Sequence, residues 1–200
     1  FAMYNSDVSD FNVVDATPFK RDPIKELYEA CKKYGIEFGI YYSHALDWMH
    51  GGDAGIADFR ETHKKADWKY TGSEKFPPIQ NNWDPFPSSY KAYLENKAKP
   101  QMKEILHKFP DIFEIWYDVP IRMTPIQSYE FYKLAYDIQP NCLINGRVGN
   151  NFGDFKERGD NEVPSQVKSD IYWETSGTLN NSYAYVSYDK DWKSVEELLY

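Results

Sequence analysis

Two carboxylates in this sequence each follow a short apolar run that carries a tryptophan. Asp118 ends the run that begins at Ile112, and Glu174 comes directly after Trp173. Such runs are typical of buried β-strands, and the Val-Pro pair behind Asp118 stops the first one. In α/β proteins the functional side chains gather where strands end, so both carboxylates are candidates for chemistry. Taken singly, each could equally cap a loop or pair with an arginine.

Two carboxylates on one face of a sheet, in an aromatic setting, are the minimum needed to cleave a glycosidic bond with retention. One attacks the anomeric carbon, while the other donates a proton and later removes one. The composition fits a sugar site, because aromatic residues make up 18% of the chain, with 6 Trp and 17 Tyr. Flat rings pack on the C–H faces of sugars, and carboxylates and amides bind hydroxyl groups.

Other catalytic chemistries have less support. His44, His50 and His63 share one predicted loop without the i, i+4 spacing of a zinc motif, and His107 lies on a predicted helix. We therefore expect no metal site. A serine triad is disfavoured because the sequence has no G-x-S-x-G elbow. The segment 149–154 is rich in Gly and Asn, but its spacing does not suit a phosphate cradle, so it is an active-site loop or a surface turn.

The overall charge restricts the class of partner. The formal net charge is -8 and the pI is near 5.0, so nucleic acid and anionic membrane surfaces would be repelled. A neutral or cationic ligand fits better. No run of 18 apolar residues is present, so we expect no membrane insertion. Cys31 and Cys142 fall in a predicted helix and a predicted strand, and we expect both to be buried free thiols.

The elements that must position the carboxylates alternate along the chain. Helix starts are marked by Asp22-Pro23 and Thr124-Pro125, and Pro100 predicts a kink or break. Apolar periodicity predicts helices over 23–34, 88–109 and 125–139, and strands over 36–42, 112–118, 142–145 and 171–174.

The long polar stretches all follow strands rather than helices, and the longest covers 43–87. This asymmetry is typical of a (β/α)-barrel whose active face is built from the loops behind its strands. The units are too few to close eight strands. We therefore predict an α/β fold, part of a (β/α)8-type (TIM-like) barrel that is incomplete at both ends, with residues 1–200 forming a fragment of one catalytic domain. An open doubly wound sheet is the alternative.

Five segments together resemble a known family. They are FAMYNSDVSDFNVVDATPFKRD, EFGIYYSHALDW, EIWYDVP, LINGRVGNNFGDF and YWETSGTLNNSYAY. They are similar, in the same order and over essentially the whole chain, to the catalytic barrel of the α-L-fucosidases of glycoside hydrolase family 29. The resemblance implies a retaining exo-α-L-fucosidase that acts on terminal α-linked L-fucose of an oligosaccharide or glycoconjugate, without a cofactor. The alternatives are a non-catalytic carbohydrate-binding relative and a barrel glycosidase of another sugar specificity.

The resemblance also implies roles for individual residues. Asp118 matches the nucleophile, and Trp116 lies beneath the sugar. Tyr42 of the YYS motif contacts the sugar, and Arg147 of the N-x-R motif binds a hydroxyl or holds the nucleophile. Tyr183 matches an aromatic residue near the sugar, although it could equally belong to a core.

The acid/base is a choice between two glutamates. We expect Glu174 of the Trp-Glu motif to take this role, with Glu162 of the GDNEVP segment as the alternative. Glu162 is the second choice because it falls in a polar loop that is typical of a solvated turn.

The sequence departs from the family in two places. We expect the His-His-Asp-Gly strand end, which supplies sugar-binding histidines, to fall immediately before Phe1, and the later strands and the C-terminal β-sandwich domain to fall outside these 200 residues. We expect that these residues alone would hold fucose poorly and would not fold stably. For the full-length protein, a secreted, periplasmic or lysosomal-type compartment is expected.

Overall fold

The structure is a computed structural model that describes residues 1–47, 49, 89–120, 123–162 and 172–199. The chain divides into two compact units, 1–153 and 154–200. Most of the predicted loop over 43–87, including His50 and His63, lies outside the described residues.

The first unit is built on a parallel sheet of three strands. These are β1 (Gly39–Tyr42), β2 (Glu114–Tyr117) and β3 (Leu143–Ile144), which neighbour one another in that order. The register sets Tyr41 opposite Trp116, Tyr42 opposite Tyr117 and Ile115 opposite Ile144. All three strands lie within predicted strands, and the α/β class is confirmed. Closure into a barrel stays a prediction.

In the described part of the first unit the α-helices are α1 (Pro23–Tyr34), α2 (Tyr90–Tyr93), α3 (Lys99–Lys108) and α4 (Pro125–Ile138). Capping residues predict the starts of α1 and α4. Asp22 caps α1 by accepting a hydrogen bond from the Lys25 N–H. Thr124 and Gln127 form a complete capping box at the start of α4. Both starts confirm the sequence prediction.

The predicted break at Pro100 takes the form of a π-helical turn. Residues Leu94–Ala98 form this turn between α2 and α3, and Pro100 lies in the first turn of α3. The Lys99 N–H donates to the Leu94 carbonyl, so the chain is helical up to the proline, and Pro100, which has no N–H, lies where the π-helical turn passes into α3.

Side-chain alternation divides the sheet into two faces. Ile115 and Tyr117 are fully buried, and the Tyr117 ring packs edge-to-face on Phe131 of α4. Because neighbouring strand residues point to opposite faces, Trp116 lies on the face opposite the one on which α4 packs. Asp118 follows Tyr117 and lies at the carboxyl end of β2 on the same face as Trp116.

The second unit contains two short parallel strands and one short helix. They are β4 (Lys156–Glu157), β5 (Trp173–Glu174) and α5 (Val195–Leu199). β5 confirms the strand predicted around Trp173. β4 falls in a stretch that predicts a loop, because two polar residues carry no apolar pattern and only their pairing with β5 makes them a strand.

Two further findings concern the described ranges as a whole. No helix in them is long and apolar enough to cross a membrane. Neither Cys31 nor Cys142 forms a disulfide, as predicted; Cys142 is buried as expected, whereas Cys31 is only half-buried, which corrects the expectation that both are buried.

Candidate active site

The carboxylate of Asp118 is held by three hydrogen-bond donors. Arg147 Nη1 lies 3.1 Å from Oδ1, and the Val119 N–H donates to the same oxygen over 2.8 Å. The hydroxyl of Tyr41 donates to Oδ2 over 2.7 Å. The carboxylate is 17% exposed and the Arg147 side chain 20%. This pair is therefore largely withdrawn from water and fixed in direction, while it stays within reach of a ligand.

A flat aromatic surface lies beside this carboxylate. The rings of Tyr41 and Trp116 stack with their centroids 5.6 Å apart, and the guanidinium of Arg147 lies 4.7 Å from the centroid of the Trp116 ring. Stacking on the indole limits the freedom of the guanidinium. The site thus combines a directed carboxylate with an apolar floor, which is the arrangement that a sugar ring requires.

The end of β2 is held by a buried amide. Asn145, directly behind β3, donates from Nδ2 to the Tyr117 carbonyl and accepts from the Tyr117 N–H at Oδ1, both over 2.9 Å. The following short 3₁₀ turn, Gly146–Val148, carries Arg147 toward Asp118. In the N-x-R motif the asparagine therefore fixes the strand end and the arginine reaches its carboxylate.

The peptide behind Asp118 has an unusual backbone conformation. Val119 has φ of 53°, in the left-handed region that β-branched residues rarely occupy, and Pro120 follows it. The N–H of Val119 donates back to the carboxylate of Asp118. Such strain persists only where surrounding contacts hold it, and it is concentrated at functional sites.

The segment 149–154, an open question in the sequence, packs against the loop behind β2. Gly149 has φ of 95°, and a Cβ there would lie 2.7 Å from the Cβ of Pro120. The amide of Asn150 donates to the Met123 carbonyl over 2.9 Å and to Ser128 Oγ over 2.8 Å. These contacts join the loops that carry Asp118 and Arg147.

The two tyrosines of the YYS motif lie on opposite faces of β1. Tyr42, which the resemblance assigns to the sugar, lies on the helix side and donates to Gln101 Oε1 over 2.9 Å. The tyrosine at Asp118 is Tyr41. Burial raises the pKa of Tyr41, and the neighbouring Asp118 raises it further, so the hydroxyl retains the proton that it donates. The structure thus brings Asp118, Trp116 and Arg147 together and places Tyr41, rather than Tyr42, at this carboxylate; a sugar contact of Tyr42 stays a prediction.

The candidate acid/base residues lie in the second unit. Glu174 ends β5 and pairs in register with Glu157, while Glu162 lies in the turn behind β4. The Arg158 N–H donates to the Glu174 carbonyl over 2.9 Å. Because β4 and β5 are parallel, Glu174 and the turn that holds Glu162 lie at the same end of this small sheet, the carboxyl end of its strands. Tyr183 belongs to the same unit and is 67% exposed.

Asn161 connects the loops behind β4 and β5. Its N–H donates to the Ser176 carbonyl over 2.7 Å, and its Oδ1 accepts from the Thr178 N–H over 2.9 Å. The ammonium of Lys193 donates to the same Oδ1 over 2.5 Å. The turn that carries Glu162 is therefore tied directly to the loop that follows Glu174.

Among the described residues, no group of three or more His, Cys, Asp and Glu could hold a metal ion. What the first unit provides is a carboxylate at the end of a parallel strand, directed by an arginine and a tyrosine beside an indole. These features define an α/β domain with a carboxylate site of the kind that glycoside hydrolases use.

Comparison with known proteins specifies the family. The family model described as alpha-L-fucosidase matches residues 1–200, and the chain belongs to this family. The α-L-fucosidase AlfC from Lactobacillus casei, in complex with its α-L-fucose product, is 40% identical with a TM-score of 0.72, and the match covers 99% of this chain and 58% of that one. A comparison with curated protein sequences returned no significant match.

More distant structures are also similar. The α-L-fucosidase from Vibrio sp. strain EJY3 is 30% identical with a TM-score of 0.70, and the match covers 97% of this chain and 32% of that one. For isoenzyme 1 from Paenibacillus thiaminolyticus the identity is 25%, the TM-score is 0.70, and the coverage is 100% and 47%. The chain thus spans between about a third and three fifths of the length of these relatives.

Proposed function

We propose that the protein is a retaining exo-α-L-fucosidase that hydrolyses terminal α-linked L-fucose from glycans. The observation that carries this proposal is the Asp118 carboxylate, which Arg147 and Tyr41 direct beside the Trp116 ring. Structures of AlfC hold α-L-fucose, and an aspartate-to-alanine variant of that enzyme holds Fucα(1,6)GlcNAc. These ligands support a fucosylated substrate here. Trp116 offers an apolar surface for the ring carbons and the methyl group of fucose.

The reaction proceeds in two displacements. In the first, an oxygen of Asp118 forms a bond to C1 of fucose while the bond from C1 to the glycosidic oxygen breaks, and a glutamic acid protonates the departing oxygen. In the second, the resulting glutamate removes a proton from water. The water oxygen attacks C1, fucose is released, and the Asp118 carboxylate is restored. Arg147 and Tyr41 keep the carboxylate aligned for the first step.

Glu174 is the proposed acid/base, and Glu162 is the alternative. Both stand at the carboxyl end of the β4–β5 sheet, on loops that are hydrogen-bonded to each other. Glu174 is favoured because it ends a strand, whereas the turn that holds Glu162 is exposed.

The nucleophile is tested by Asp118→Gly in the full-length protein. We expect hydrolysis of 4-nitrophenyl α-L-fucopyranoside to fall roughly a thousand-fold or more, because glycine has no carboxylate to attack C1. Added azide should restore turnover and give β-fucosyl azide, since it enters from the side opposite the leaving group. Asp111→Gly is the matched control. Asp111 lies before the other end of β2 at φ of 65°, which glycine adopts readily, so we expect unchanged activity.

Unchanged turnover in Asp118→Gly would refute the nucleophile assignment. A parent protein that binds fucose without hydrolysing the aryl fucoside would instead be a carbohydrate-binding relative. Turnover of a different aryl glycoside in a panel of sugars would show another specificity.

The acid/base is tested by alanine variants of Glu174 and Glu162, with Asp160→Ala as the comparison from the same turn. On an aryl fucoside with a good leaving group, loss of the acid/base chiefly slows the second step. Azide should therefore accelerate Glu174→Ala and give α-fucosyl azide, and should leave the other two variants unaffected. Rescue of Glu162→Ala or Asp160→Ala, without rescue of Glu174→Ala, would move the role to that residue.

A further inference from the structure

A buried histidine connects the two loops that carry the catalytic carboxylate and its arginine. His44 lies behind the end of β1 and is fully buried. Its Nδ1 is 3.1 Å from the carbonyl oxygen of Asp118, and its Nε2 is 3.3 Å from the carbonyl oxygen of Val148. Val148 follows Arg147 in the short 3₁₀ turn. One imidazole therefore bridges the main chains behind β2 and β3.

The position of this imidazole is fixed from several sides. The ring centroids of Tyr117 and Phe131 lie 4.7 Å and 5.1 Å from its own. The carbonyl of His44 accepts a hydrogen bond from the Tyr93 hydroxyl over 3.3 Å. Burial lowers the pKa of His44 to about 4, against the opposing effect of the two carbonyls, so the ring is neutral and carries one N–H. Both facing atoms are carbonyl oxygens and only accept, so the imidazole donates from the nitrogen that carries the N–H, and the shorter of the two contacts is the one at Nδ1, facing Asp118.

The peptide between Asp118 and Val119 is thus held at both of its polar atoms. Its carbonyl oxygen faces His44 Nδ1, and its N–H donates to Asp118 Oδ1. This peptide leads into Val119 with its positive φ, a conformation that persists only if its surroundings hold it. If the carbonyl loses its donor, the peptide can rotate, and the N–H then leaves the carboxylate.

Resting on the proposed function, we propose that His44 is a positioning residue that fixes the Asp118–Val119 peptide and thereby aims the Asp118 carboxylate at C1. It does not touch the substrate. Its contribution lies in the alignment of the attacking oxygen, where a displacement of about 1 Å is enough to slow a reaction roughly a hundred-fold.

Two variants at His44 separate its polar contact from its packing. His44→Phe keeps a ring between Tyr117 and Phe131 and removes the donor to Asp118, so kcat on 4-nitrophenyl α-L-fucopyranoside should fall about 100-fold with KM within about threefold. His44→Asn places an amide N–H near the position of Nδ1, and should keep kcat within about tenfold of the parent. Equal losses in the two variants would contradict the proposal.

Gln139→Met is the matched control, because Gln139 is a part-buried side chain that bridges main-chain groups near β2. The Gln139 side chain accepts from the Ile112 N–H over 2.8 Å and donates to the carbonyls of Leu106 and Phe109 over 2.7 Å and 2.9 Å, before the opposite end of the strand. Its loss should lower the unfolding temperature and leave kcat within about threefold. A kcat loss in Gln139→Met as large as that in His44→Phe would show a general structural effect and overturn the proposal.

A double-mutant cycle with Asp118→Gly distinguishes the orientation of the carboxylate from general damage to the site. In the Asp118→Gly background, azide takes the place of the carboxylate, so no carboxylate has to be oriented. Adding His44→Phe to that background should therefore change the azide-dependent rate by less than about threefold. A loss as large as that seen with Asp118 present would overturn the inference. If the parent protein hydrolyses no fucoside, the proposed function fails first and the inference fails with it. If the parent is active and His44→Phe keeps its kcat, only the inference fails.

Discussion

Groups from three strand ends direct the Asp118 carboxylate. Tyr41 comes from β1, the Val119 N–H from the end of β2, and Arg147 from the turn behind β3. Each donor occupies one position on the carboxylate, so the loss of one removes an alignment that the others cannot replace.

The tyrosine pair gives a direct test at the residue scale. In Tyr41→Phe the ring still stacks on Trp116, but the carboxylate loses a donor. A hydrogen bond to a charged group is worth about 1.5–3 kcal/mol, so kcat/KM on an aryl α-fucoside should fall roughly 10- to 100-fold. Tyr42→Phe is the matched control, because it removes one hydroxyl on the opposite face. It should lower the free energy of unfolding by about 1 kcal/mol and leave kcat/KM within about threefold.

The reverse result would assign the functional tyrosine to the other face of β1. If Tyr42→Phe loses activity and Tyr41→Phe does not, the role of Tyr41 is refuted and the sequence-based choice of Tyr42 stands.

Elements defined by local chemistry were predictable from the sequence. The starts of α1 and α4 follow from Asp22-Pro23 and Thr124-Pro125, because an N-cap side chain and a proline at N1 act within one turn. β2 follows from its continuous apolar run. β4 does not, since its two polar residues become a strand only through pairing with β5, across a long sequence separation.

The residues of the site also divide into those that the sequence predicts and those that only the structure identifies. Asp118 is a candidate from its strand end, Trp116 and Arg147 are candidates from the family resemblance, and the structure brings the three together. Tyr41 was missed because the motif contains two tyrosines and only the strand register tells which one faces the carboxylate. His44 was considered only as a metal ligand, because its contacts with two carbonyls depend on how three loops meet.

One signal for Asn145 was present in the sequence. It is a polar residue directly behind an apolar strand, as Asp118 is, and a buried amide there can replace the next pair of ladder hydrogen bonds. The rule that drew attention to the carboxylates at strand ends applies equally to amides at strand ends.

At the scale of the whole molecule, His44 links the site to acid stability. Its pKa is about 4 in the folded protein, against 6.5 for an unburied histidine, because burial disfavours the charged ring. Between these values the unfolded chain binds a proton that the folded protein does not. The stability associated with the neutral ring is therefore fully present above pH 6.5 and is lost as the pH falls toward 4.

We expect the unfolding temperature of the full-length protein to fall between pH 6.5 and pH 4, and His44→Phe to lose less over this range than the parent. The full shift of the His44 pKa corresponds to a change on the order of 3 kcal/mol in the free energy of unfolding.

Other groups contribute in the same direction: hydrogen bonding lowers the pKa of Glu26 beside Arg21 and of Asp189 beside Ser182. The difference in the free energy of unfolding between parent and variant is measured by calorimetry at each pH. The contributions of these other groups cancel in this difference, because they are the same in both proteins. A difference that stays constant from pH 7 to pH 4 would mean that His44 does not titrate as a buried neutral group. The ring would then become an imidazolium in the folded protein as the pH falls through 6.5, and the peptide behind Asp118 would be held by a charged ring below that pH.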